Sequence, residues 1–157
     1  MMAEDGILTD CIVCANNARV GSLPPREEIE IRGVWRMAHA FGTSLPGWLV
    51  VVPTRHVAAL DELEPSEAAQ LGDVLYRASK ALRAIVGCEK AYFVFFAEQQ
   101  GFSHLHVHVI PRMEWFTAEQ RGPGVFSLLG GSAEDAWLPE PERDRIALAV
   151  RGALFSG

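Results

Sequence analysis

No apolar run in this 157-residue chain approaches the roughly 20 residues that a membrane-spanning helix requires. The opening stretch, Met1 to Asp10, also lacks the basic start and apolar centre of a signal peptide. These absences predict a cytoplasmic protein with no membrane partner. Positive charge is in deficit: 14 Lys and Arg against 20 Asp and Glu leave a net charge of −6, a field that repels long nucleic acids. A small anionic substrate needs only a few local donors and is not excluded. Cysteine is scarce and odd in number, at three, which argues against a disulfide framework. Internal repeats and low-complexity tracts are missing as well, so one domain spanning residues 1–157 is expected. What is present is a globular balance, 49% apolar and 22% charged, enough to build a packed core.

Along the chain, residues 21–30 carry adjacent prolines and three glutamates and read as a loop. Gly33 to Ala40 alternates with period two, as a half-buried strand does, and Gly47 to Val52 is a β-branched run halted by Pro53. The strongest helix signal lies between Glu64 and Val86, with Pro65 at its start and Gly87 just past its end. Leu71, Val74, Leu75, Ala78, Leu82 and Ile85 recur at three- and four-residue steps and give that helix one apolar face. Strands are predicted over Ala91–Ala97 and Ser103–Ile110, and a short final helix over Arg143–Leu154. Strands in succession around one long helix predict an α+β fold with a mainly antiparallel sheet.

Three of the five histidines, His104, His106 and His108, alternate with Leu105, Val107 and Val109. On a strand the imidazoles share one face and the apolar residues enter the core from the other. At a rise of ~3.3 Å per residue the outer two stand ~13 Å apart, too far for one ion to gather all three. A neutral imidazole is a nucleophile and an N–H donor, so neighbouring rings can divide attack and charge stabilisation on a phosphate ester, with a metal at one end of the row as a further use. Cys11 and Cys14 have a spacing suited to metal ligation or redox chemistry, but two thiolates fill only half of a tetrahedral zinc site. Cys88 reads as a small core residue and His39 as a structural histidine.

The run from His104 to Ile110, followed by Pro111-Arg112, resembles the signature of the histidine triad (HIT) family of nucleotide hydrolases and transferases. Leu49 to Pro53 with His56 three residues on resembles that family's second marker, and the likeness spans residues 11–112, leaving 113–157 as a C-terminal extension. It implies that His106 is the nucleophile that attacks an α-phosphorus of a dinucleoside polyphosphate or nucleoside phosphoramidate, forming a nucleotidyl-histidine. His108 would then hold phosphoryl oxygens and stabilise the developing charge, and Gln100 would bind phosphate or leaving group. A uridylyltransferase branch carries glutamine in place of the third histidine, so His108 aligns this chain with the hydrolases. By likeness to zinc-binding bacterial members, Cys11, Cys14, His56 and His104 would hold a structural zinc ion.

The same resemblance implies a homodimer and a purine nucleotide in preference to a pyrimidine. A nucleotide-binding adaptor of the same fold, with little catalysis, is the alternative. Four positions depart from the common family pattern, Ala40, Trp48, Ala97 and Gly101, each placing a non-ionic or apolar residue where a polar contact to substrate is frequent.

Overall fold

The computed structural model describes residues 10–131 and 134–156. Residues 1–9, read above as carrying no signal peptide, lie outside them, as do 132, 133 and 157. A short helix α1 (Ile12–Asn17) precedes strands β1 (Glu30–Arg32), β2 (Trp35–His39) and β3 (Leu49–Pro53). Helix α2 (Pro65–Val86), strands β4 (Lys90–Val94) and β5 (Val107–Arg112), and helix α3 (Glu140–Phe155) follow. The strands form one antiparallel sheet in the order β1-β2-β3-β5-β4, so the architecture is α+β with a mainly antiparallel sheet. Because the chain runs out along α2 to the edge strand β4 and then returns, β5 ends up inside the sheet between β3 and β4.

Helix α2 begins and ends where its sequence says it should. Glu64 and Glu67 form a reciprocal capping box, Pro65 opens the first turn, and Gly87 closes the helix at φ 70°. Its apolar face, Leu71, Val74, Ala78 and Leu82, joins Trp35, Met37, Leu49, Val51, Val107 and Val109 from one side of the sheet in the main core. Truncating one of these, as in Leu82→Ala, costs about 2–5 kcal/mol. Helix α3 runs 16 residues, longer at its start than the expected 143–154. Pro141 suits the first turn of a helix, and Glu140 and Glu142 complement its dipole. It contributes Ile146, Ala147, Val150 and Leu154 to the same core.

Three local differences matter for the site. Glu30, read as the end of a loop, instead opens β1, because the left-handed turn at Gly33 (φ 58°) folds residues 30–32 back onto β2. Strand β4 stops at Val94, and Ala97 adopts φ 58°, which breaks the ladder three residues before the expected end. The ladder of β5 begins only at Val107, although the alternation persists further back: Leu105 is already in the main core. His104 and His106 are thus held on the approach to the strand, where their environments can differ. Among the described residues, no helix is long and apolar enough to cross a membrane.

Candidate functional site

Four side chains from three separate segments meet beside the end of β3. The ligand-type atoms of Cys11, Cys14, His56 and His104 all lie within 4.8 Å of one another. Cys14 Sγ is 3.3 Å from His56 Nδ1 and 3.5 Å from His104 Nδ1, and Cys11 Sγ is 3.7 Å from His104 Nδ1. A tetrahedral ion with bonds of about 2.0–2.3 Å holds its donors roughly 3.3–3.8 Å apart, so the spacing is that of a ligand cage. Both cysteines are buried, as is His104, and Val13, Val52 and Phe102 pack around the thiols.

The surroundings orient these donors. His104 Nε2–H donates to the Pro53 carbonyl at 2.8 Å, which leaves Nδ1 as the lone-pair nitrogen on the cysteine side. The same carbonyl accepts from Asn17 Nδ2 at 3.0 Å, while Asn17 Oδ1 accepts from the buried Arg36 at 2.8 Å, fastening α1 to the sheet. Cys14 N–H donates to Cys11 Sγ at 3.3 Å, which holds the two cysteines together across the first turn of α1. Burial holds the His104 imidazole down to about 4, so it is neutral and able to ligate at physiological pH.

Two residues on, the chemistry changes. His106 Nδ1–H donates to the His104 carbonyl at 2.9 Å, and Nε2 is the nitrogen with the lone pair. His106 is only partly buried and its ring lies 4.9 Å from that of His108, edge to face. His108 sits inside the sheet between Val50 of β3 and Val94 of β4, 8% exposed. Burial, with a smaller contribution from His106, pushes it down to about 4. Its Nδ1 accepts from the Trp48 indole N–H at 3.0 Å. Phe126, from a 3₁₀ segment over Gly122–Leu128, lies edge-on to both rings, 5.3 Å from His108 and 5.5 Å from Trp48.

The remaining sequence-predicted residues separate. Gln100 is exposed in the turn before the triad and makes no hydrogen bond to it. Arg112 pairs with Glu89 at the far end of β5. His39 lies under the opposite face of the sheet, its Nε2 accepting from Gly47 N–H and its Nδ1–H donating to Ala40 O, both at 3.0 Å. Two departures acquire structural reasons. Gly101 adopts φ 82°, and a Cβ there would stand 3.1 Å from Ile12 Cδ1 of α1, whose N–H bonds the Gly101 carbonyl. Trp48 supplies a polar contact of its own, which residue identity did not reveal because the indole meets His108 only once β3 and β5 are paired.

An antiparallel sheet carrying a His-x-His-x-His approach to an inner strand, with a partly open imidazole beside a buried one, is the arrangement of a histidine triad domain. The chain belongs to the HIT family: residues 37–115 match the model of the HIT domain, and the family includes nucleotide hydrolases and uridylyltransferases. A histidine triad protein from Sinorhizobium meliloti is 29% identical over 79% of this chain and 86% of its own, with a TM-score of 0.65. A zinc-bound histidine triad family protein from Mycobacterium smegmatis is similar at 21% identity, covering 93% of this chain and 96% of its own, TM-score 0.64. A uridylyltransferase is similar over 93% of this chain but 47% of its own length, at 19% identity and TM-score 0.64. The latter two likenesses bear on the fold alone. No curated protein sequence matches the chain.

Proposed function

We propose that this protein is a nucleotide hydrolase that cleaves at the α-phosphate of a dinucleoside polyphosphate or nucleoside phosphoramidate through a nucleotidyl-His106 intermediate. The observation that carries the reading is the Nδ1–H bond from His106 to the His104 carbonyl, which presents Nε2 as nucleophile and stabilises the positive charge the ring acquires on attack. The Nε2 lone pair forms the bond to phosphorus, and the bond to the leaving group breaks with its electron pair. Water then displaces the imidazole, losing a proton as the nucleoside monophosphate departs and the lone pair returns to Nε2. His108 acts on the phosphoryl oxygens as a neutral N–H donor, a preorganised contact that strengthens as charge develops.

Cys11, Cys14, His56 and His104 fit zinc by donor type and spacing, and a bound ion would anchor α1 to the sheet as a closed, structural site. Gln100 would close on phosphate or leaving group from its exposed turn. A homodimer is supported by the edge position of β4 and by Phe93 and Tyr76, exposed beside it. The acidic composition and the absence of a membrane-crossing helix among the described residues support a cytoplasmic setting. A purine substrate is the preferred assignment.

Incubation with a panel of adenylylated and guanylylated compounds, quenched without acid because a P–N bond is acid-labile, tests the reading. The expected result is release of nucleoside monophosphate and a mass increase of one nucleotidyl group, both abolished in His106→Ala. Tight nucleotide binding with neither turnover nor adduct across the panel would overturn it in favour of a binding adaptor.

A further inference from the structure

We infer that Trp48 is a positioning residue that locks His108 in its Nε2–H form, so that the third triad histidine meets substrate as an obligate hydrogen-bond donor. An indole N–H can only donate, so the nitrogen it touches at 3.0 Å, His108 Nδ1, must carry a lone pair. In a neutral ring the single proton then resides on Nε2. A histidine at position 48 could exchange donor and acceptor roles by moving its own proton, and the partner tautomer would follow. Tryptophan removes that freedom. Protonating His108 at Nδ1 also becomes costly, because two N–H groups would then face one another.

The lock is held by packing. Trp48 is fully buried among Ala40, Leu45, Ile110, Val125 and Phe126, and its carbonyl accepts the Ala40 N–H at 2.7 Å. Two departures from the family pattern, Ala40 and Trp48, therefore meet in one cluster, the small side chain beside the large ring. Phe126 closes it edge-on from the C-terminal segment. That segment is tied down by Thr43 Oγ1 to the Leu128 carbonyl at 2.8 Å and by Gly130 N–H to the Gly42 carbonyl at 2.8 Å. The C-terminal extension thus buttresses the indole that sets the tautomer.

The catalytic consequence rests on the hydrolase reading, but the tautomer does not, which keeps the two separable. Two-bond ¹H–¹⁵N correlation spectra of the full-length protein at neutral pH, with His108 assigned by its absence in His108→Gln, should show a pyrrole-type Nε2 and a pyridine-type Nδ1. A His108 with the proton on Nδ1, an averaged mixture, or an imidazolium would overturn the inference whatever the activity. Trp48→Phe keeps ring packing and deletes the donor. In that variant the His108 tautomers should mix, and kcat should fall roughly 10- to 100-fold with a smaller change in KM, the range seen when an orienting partner of a functional histidine is removed. An unchanged tautomer signature in folded Trp48→Phe would also overturn it. Should Trp48→Phe not fold, the wild-type spectrum alone decides.

Discussion

His104 and His106 are two residues apart, yet they occupy opposite chemical regimes. The first is fully buried, its Nδ1 among two sulfurs and its Nε2 spent on a backbone carbonyl; the second is partly open, with Nδ1 held by a backbone carbonyl. The cage draws on residues up to 93 positions apart, whereas His106 and His108 are close in sequence, two imidazoles 4.9 Å apart. The backbone joins the two: the carbonyl of His104, a cage residue, is the acceptor that orients the His106 ring. On the proposed reading, a buried metal ligand thereby positions a partly open nucleophile without sharing its chemistry.

If that division is right, breaking each side should give different phenotypes. The largest effect is expected from His106→Ala, with turnover reduced by at least about 10⁴-fold in an assay of nucleoside monophosphate release, since removal of a covalent nucleophile leaves only binding and charge stabilisation. Its melting temperature should stay close to wild type because the ring is partly exposed. Cys14→Ser should do the reverse, losing the tightly bound metal and on the order of 5 kcal/mol of stability, about 10–20 °C in melting temperature. Retention of a full metal equivalent by that variant would count against the cage.

A third histidine belongs to neither region and sharpens the contrast. His39 is buried with both nitrogens bonded, and burial, aided by Arg143, lowers it to about 4. The unfolded chain therefore binds its proton first as pH falls: the stability is complete above about 6.5 and lost progressively toward 4, at about 1.4 kcal/mol per pH unit. His39→Gln, measured by urea unfolding at several pH values, should flatten that slope by up to roughly 3 kcal/mol over the window, leaving metal content unchanged. The smallest effect concerns the loop that leads into the triad. Ala97 is the one non-glycine among the described residues at positive φ, and Ala97→Gly should stabilise the chain by about 1 kcal/mol in denaturant titration.

Much of this was readable from residue order. The capping residues of α2 marked its ends to within one position, and the alternation from Leu105 to Val109 assigned the core face of β5 correctly, because both signals are local. The union of the cage residues followed from a resemblance, since nothing local links Cys11 to His104. The row of histidines misled in one respect: the alternation suggested a strand from Ser103, but ladder pairing starts at Val107 and leaves His104 enclosed and His106 partly open. Trp48 was read only as a lost polar contact, because its partner lies 60 residues away on a neighbouring strand.

The division of labour is tested most directly by native mass spectrometry of the full-length protein sampled during turnover of an adenylylated substrate. The account predicts one species carrying both a zinc ion and a single nucleotidyl group, with the group mapping to His106 and the metal content unaltered by the reaction. A nucleotidyl group on His104 or His108, or an adduct that forms only as the metal leaves, would contradict it.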